Sequence, residues 1–166
     1  MTGAQIRLFP DPVLRKSAAF VKQFNPALMR HLNLMVATMR AQKAGIGIAA
    51  PQIGLSQRMA VVDVSERVQG TKLHYLINPE IITMDEEIIS REGCMSLPEY
   101  TGNLKRYNRI KVRWQDETGA VQESFFEGIE ARCIQHEIDH LNGILFVDRV
   151  ASLKTDMIPR QSRKHC

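Results

Sequence analysis

The sequence predicts an α+β domain, with mainly antiparallel strands packed around a central helix and a further helix near the N-terminus. Three observations carry this: a capped amphipathic segment over 25–43, β-branched runs through the middle of the chain, and a second helical segment over 129–141. In the first, Asn25 is placed to cap, Pro26 suits the first helical position, and Leu28, Leu32, Met35, Val36 and Met39 share one face. Gly45 is the expected stop. Residues 58–64, Arg-Met-Ala-Val-Val-Asp-Val, form a short apolar run bounded by polar residues and read as a buried strand. A second run, Leu73 to Ile77, is expected to stop at Asn78-Pro79. Ile110, Val112 and Trp114 alternate with Lys111, Arg113 and Gln115, and Asp116-Glu-Thr-Gly119 leads into Val121 to Phe126, a hairpin with one wet face. Asn142-Gly143 closes the second helix.

Nothing divides the 166 residues: no repeat, low-complexity run or Gly/Ser-rich linker is present. One core is therefore expected, burying about 70% of the unfolded surface without help from a disulfide. Apolar stretches are broken by charge well short of the ~18 residues of a membrane span, and Arg7, Asp11, Arg15 and Lys16 stand where an export signal would be apolar. The expectation is a cytoplasmic protein with no membrane partner. The net charge of +4 is concentrated at one end. Residues 1–148 carry seventeen charges of each sign, whereas the tail over 149–166, part of the same domain, holds five basic residues against Asp156 alone. A balanced body with 6% aromatic residues does not suit a nucleic-acid surface. The tail suits either a weak contact with an RNA-rich partner or a solvated terminus with no partner. Three cysteines, Cys94, Cys133 and Cys166, are an odd number, each a thiol or a metal ligand in a reducing compartment.

The chemistry is concentrated in His136-Glu137-Ile138-Asp139-His140. On a helix His140 lies about 40° round from His136, and Glu137 about 100°, so both imidazoles can meet one ion with a carboxylate beside them. That arrangement suits metal-assisted hydrolysis. A third ligand is needed, and downstream there is none in the usual protease positions: Phe146 stands where a third histidine would follow, and no Glu occurs after Glu137. Upstream candidates are His31, His74, Cys94 and Cys133. Cys133 is seven residues from His140, about 10.5 Å of helical rise, and reads as a small apolar residue beside the site. His31 and His74 sit within regular elements and suit satisfied polar roles. Cys94 differs, lying in Glu92-Gly-Cys-Met-Ser-Leu-Pro98, a turn whose Gly permits close backbone approach. A third segment, Gly45-Ile-Gly-Ile-Ala-Ala-Pro-Gln52, is a run of small residues with neither the spacing nor the Lys-Ser/Thr of a nucleotide loop.

Those three segments, in this order and spacing, together with Asp11-Pro-Val-Leu-Arg15 and Ile77-Asn-Pro79, resemble the peptide deformylases over most of the chain. The resemblance implies a deformylase catalytic domain over 1–148 that removes the formyl group from formyl-methionine at the start of nascent peptides. It assigns Cys94, His136 and His140 as metal ligands and Glu137 as the catalytic carboxylate. It also implies the Gln52 side-chain amide and the Met95 backbone N–H as donors to the oxyanion, and Gly47 as a backbone partner of the substrate. Ile46, Ile129 and Cys133 are candidates for a methionine-sized pocket, and Arg106 for a partner of Asp139. The implied cofactor is one divalent ion, Fe²⁺, with Zn²⁺ or Ni²⁺ able to occupy the same donors. A monomer with at most weak ribosome association is expected, the tail being short and interrupted by Pro159. Met95 departs from the family's usual Leu. Two other classes stay open on sequence: a zinc endopeptidase, and a metal-holding or RNA-associated module without turnover.

Overall fold

A computed structural model describes residues 2–160. Its frame is one antiparallel sheet of six strands: β1 (Gly47–Ala49), β2 (Met59–Val62), β3 (His74–Cys94), β4 (Leu97–Gln115), β5 (Val121–Glu127) and β6 (Met157–Pro159). The order is β1-β2-β3-β4-β5, with β6 paired to β4. Two helices, α1 (Pro26–Ala41) and α2 (Gly128–Leu141), complete the α+β architecture. Among the described residues no helix is long and apolar enough to cross a membrane.

Helix α1 begins as the sequence indicates, with the Asn25 side chain accepting from the Leu28 backbone N–H at 3.1 Å. It ends two residues before Lys43, because Gln42 turns to extended backbone and Ala44 adopts a positive φ of 61° ahead of Gly45. Helix α2 closes as expected, with Asn142 as C-cap and Gly143 at φ 73°.

The run 58–64 is apolar throughout because β2 is covered on both faces. Met59 and Val61 face α1 with Leu32, Met35 and Ile48, whereas Ala60 and Val62 face α2 with Ile134, Ile138 and Leu141. Strand β1, the middle of the small-residue segment, is buried on both sides in the same way. A third cluster of Cys94, Leu104 and Phe146 forms under the far end of the β3/β4 hairpin.

The long hairpin departs from expectation. Strand β3 does not stop at Asn78-Pro79 but continues to Cys94, and β4 starts at Leu97 rather than at Ile110. The turn in Glu92–Pro98 is thereby reduced to Met95 and Ser96. The strand passes Pro79 through a register shift between Ile77 and Glu80, where an unpaired position makes the missing N–H harmless. Asn78 holds the irregularity at φ 50°. Its side chain accepts from the Val21 N–H at 2.9 Å and donates to the Val21 carbonyl at 2.9 Å and to Gln115 Oε1 at 2.8 Å. The outer stretch of β3 is polar and exposed, and its charges are matched across the ladder, as in Lys105 to Glu87 at 3.2 Å.

Pro159 does not merely interrupt the tail, since it is the last residue of β6, opposite Tyr100. Arg163, Lys164, His165 and Cys166 lie outside the described residues.

Asn78→Ala is expected to cost about 2–4 kcal/mol in denaturant unfolding, through the orphaned Val21 amide and the positive φ. Asn78→Gly should cost about 1 kcal/mol less, because glycine keeps the backbone geometry while losing the same hydrogen bonds. Equal losses would show that backbone conformation contributes nothing there.

Candidate metal centre

The centre is assembled from the end of β3 and the inner face of α2. Cys94 is the last residue of β3, and its Sγ lies 3.3 Å from His140 Nε2. The ligand atoms of Cys94, His136 and His140 all fall within 4.8 Å of one another. Donors bound to one tetrahedral ion through ~2.0–2.3 Å bonds stand roughly 3.3–3.8 Å apart, so this set fits a metal. A second sign of fit is chemical. His136 Nδ1 is 2.9 Å from Glu92 Oε1, which directs Nε2 inward, as ligating histidines are commonly held. His31 and His74 are not brought here: His31 sits on α1, and His74 lies 3.6 Å from Glu130 and packs edge-on against Trp114 and Phe126.

Burial and charge set the protonation of these groups. Burial opposes a charged Cys94, yet His140 and His136 outweigh it and hold the thiol well below its usual range. Burial likewise opposes ionisation of Glu92, but hydrogen bonds from His136 and Arg106 keep its carboxyl at about 2. Glu137 is the opposite case: burial pushes its carboxyl up to about 7, and the neighbouring imidazoles only partly offset this. Among the described residues its Oε2 has no hydrogen-bond partner, nor has His140 Nδ1.

Behind the ligands runs a chain of ion pairs. Arg106 donates from Nε to Glu92 at 2.8 Å and from Nη1 to Asp139 at 2.7 Å. Arg149 binds the same Asp139 through two bonds of 2.6 and 2.7 Å. The Asp139–Arg106 contact was expected, whereas Glu92 and Arg149 were not recognised. The sequence signal for Glu92 was its place two residues before Cys94. Arg149 stands among the basic residues of the tail in the sequence, but its guanidinium is held against Asp139 of α2.

The other residues singled out by sequence converge on one cleft of about 520 Å³. Ile46, Gly47, Gln52, Met95, Ile129, Cys133, His136 and Glu137 line it, with Cys94 at its base, while His140 is buried behind. Gln52 is held by its Oε1 accepting from the Ala49 N–H at 3.0 Å. Its Nε2 donates to Ser96 Oγ at 3.1 Å and lies 3.7 Å from Cys94 Sγ. Gly47 has no room for a side chain: a Cβ there would sit 2.5 Å from Cys133 Sγ and 3.0 Å from Glu137 Oε1. Cys133 is buried beside the centre and not in it, and burial pushes its thiol well up. Two strand edges border the cleft. Among the described residues β1 pairs only with β2, and the 90–93 stretch of β3 pairs only with β4.

A buried Cys/His/His donor set with a carboxylate in an adjoining peptide-wide cleft, on this α+β frame, defines a metal-dependent hydrolase. Residues 4–156 match the family model of polypeptide deformylases. The peptide deformylase of Thermodesulfovibrio yellowstonii is 43% identical over 161 residues, covering 97% of each chain. The crystal structure of the Thermotoga maritima peptide deformylase superposes with a TM-score of 0.84 at 43% identity, covering 92% of this chain and all of that one. The Synechococcus elongatus enzyme in complex with actinonin gives 0.85 at 35% identity, covering 93% of this chain and 82% of that one. The chain belongs to the polypeptide deformylase family, whose members remove the N-formyl group from nascent peptides.

Gly47→Ala should lower kcat/KM about 10²-fold, since the methyl displaces Glu137 or closes the strand edge. Adding Cys133→Ala should recover part of the loss by removing the nearest atom. No recovery would mean that the contact with Cys133 is not what excludes a side chain.

Proposed function

We propose that Cys94, His136 and His140 hold one divalent ion and that Glu137 is the proton carrier of formyl-peptide hydrolysis. The observation supporting this is the convergence of the three donors beside a buried, unpartnered carboxylate oxygen at the base of the cleft. When bound, the metal supplies a Lewis acid that polarises a carbonyl and lowers the pKa of water.

The residues of the chain do the rest. An extended peptide adds to the free edge at Gly47 by backbone pairing, which places its formyl group toward Glu137. Ile46, Ile129 and Cys133 provide the apolar wall for the methionine side chain. As water adds to the formyl carbon, Glu137 takes its proton, then returns it to the departing amine so that the peptide leaves with a neutral N-terminus. Burial suits both halves of this task, because a carboxyl near neutrality gives up a proton as readily as it accepts one. The Gln52 side-chain amide and the Met95 backbone N–H donate to the oxygen as it gains charge. Glu92 holds the His136 ring in register, and Arg106 holds Glu92.

Fe²⁺ is the proposed resident ion, on the family likeness, and the thiolate and imidazole donors accept Zn²⁺ or Ni²⁺ as well. A reducing cytoplasm keeps Cys94 free to ligate. The acting form is a monomer, with any ribosome contact weak and made through the basic C-terminal end.

The test is formate release from a short formyl-methionyl peptide by metal-loaded protein. Glu137→Ala should retain the metal by elemental analysis and lose turnover; unchanged rates would remove Glu137 from its role. Cys94→Ser should lose metal, whereas Cys133→Ser should keep it. Gln52→Ala should lower kcat about 10²–10³-fold with little change in metal content. Glu92→Ala should weaken metal retention about 10–100-fold, measured by competition with a chelator.

A further inference from the structure

The mouth of the cleft is ringed by basic side chains for which the hydrolysis itself has no use. Lys43, Arg67, Arg91, Arg132 and Arg160 all line the cavity. They arrive from five separate places: the segment after α1, the loop after β2, the end of β3, α2, and the residue that follows β6. Arg160 reaches Gly93 closely enough that any Cβ there would strike its guanidinium. Among the described residues none of the five forms an ion pair with a carboxylate. Arg67 donates to the Ala44 carbonyl and Arg91 to the Thr101 hydroxyl, both neutral acceptors that leave the charges uncompensated. Among the described residues, the only acidic ones lining the same cavity are Glu92 and Glu137. Glu92 is already neutralised by Arg106 and His136, and Glu137 lies at the base beside Gly47.

Elsewhere some cations are matched, Lys105 with Glu87, Lys111 and Arg113 with Glu123, Arg15 with Asp148, while others such as Lys16, Lys22, Arg30 and Lys72 stand singly and apart from the cleft. What distinguishes the five is that they gather round the cleft that holds the candidate centre. A half-enclosed cleft with low-dielectric walls concentrates such a field. An extended peptide with its formyl end at Glu137 and its backbone along the free edges runs outward past this ring. Residues downstream of the methionine are then the part of the substrate that meets the cations.

We propose that this deformylase favours formyl-methionyl peptides that carry a carboxylate within a few residues after the methionine, and that Arg91 and Arg132 are the main determinants of that preference. The proposal rests on the deformylase reading above and adds the class of substrate within it. The carboxylate has two sources, an Asp or Glu side chain or the free C-terminus of a very short peptide. Attraction of this kind acts mostly on capture, and added salt weakens it.

The experiment uses the metal-loaded full chain and formate release from three amidated peptides, formyl-Met-Ala-Glu, formyl-Met-Ala-Gln and formyl-Met-Ala-Lys. At low salt, kcat/KM should fall in that order, spanning about tenfold, mostly through KM. At about 0.5 M salt the span should shrink to about twofold or less. Formyl-Met-Ala as the free acid should exceed its amide in the same salt-dependent way, which separates the C-terminal source from the side-chain source. In Arg91→Gln/Arg132→Gln the Glu-to-Lys ratio should drop toward one, each peptide being compared within the same variant. Hydrolysis of all three peptides at equal rates, a reversed order, or a ratio indifferent to salt or to the double substitution would overturn the proposal and leave the deformylase reading intact. Failure to hydrolyse even the neutral peptide would remove both.

Discussion

The functional end of this molecule depends on one buried guanidinium. Arg106 projects from β4, with only 3% of its side chain exposed, and holds Glu92 of β3 with one side of its fork and Asp139 of α2 with the other. The donors come from the two elements it joins, Cys94 from β3 and both histidines from α2. Burying three charges is expensive, and their attraction roughly offsets the desolvation instead of adding stability. What the arrangement supplies is register. A fork with fixed geometry tolerates little sliding of helix against strand, and a metal site tolerates none beyond a few tenths of an ångström. Arg149 closes the network from the other side of Asp139, and Gln135 adds a neutral clamp, its amide bonded to both the N–H and the carbonyl of Tyr107.

The same tie explains the composition of α2. From Cys133 to Leu141 every residue is buried, yet the stretch includes Gln135, His136, Glu137, Asp139 and His140. The helix is enclosed on all sides, apolar toward the sheet through Ala131, Ile134, Ile138 and Leu141 and polar toward the hairpin end. On that second face Gln135, His136 and Asp139 are all hydrogen-bonded. Among the described residues, its fully buried side-chain atoms without a partner are Glu137 Oε2 and His140 Nδ1, both of the centre itself. An unpaired carboxylate oxygen in such a place costs stability, which sets Glu137 apart from the paired Glu92 and Asp139 beside it.

Much of this was legible in the residues, and the parts that were not share a physical cause. Local signals are strong where one short segment determines its own geometry: the Asn25-Pro26 cap, the Asn142-Gly143 stop and the two imidazoles four residues apart. The paired strands of the long hairpin were half missed because their outer length is stabilised by cross-strand partners far away in sequence, not by an apolar period. Asp85 and Glu87 look like loop residues until Arg109 stands opposite the first and Lys105 reaches diagonally to the second. Pro79 looked like a terminator because its compensation, Asn78 bonded to Val21 and Gln115, is a tertiary contact. Glu92 and Arg149 escaped for the same reason, since a lone acidic or basic residue carries no mark of being buried and paired.

Gly47 shows how tightly the remaining pieces are coupled. It lies on the terminal strand of the sheet, where an unpaired edge would ordinarily be a hazard and be blunted by charge or by a covering loop. Here α2 approaches so closely that Cys133 Sγ and Glu137 Oε1 occupy the space of a side chain. The edge is thus protected from casual pairing by the helix that also carries Glu137, while remaining open along the line of the cleft. Small residues on β1, a small thiol at Cys133 and the ion pairs that fix α2 are consequences of one requirement: backbone, carboxylate and metal donors must stand within a few ångströms of each other. Relaxing any of them lets the helix move away from the strand and separates Gly47 from Glu137 and the Cys/His/His donor set.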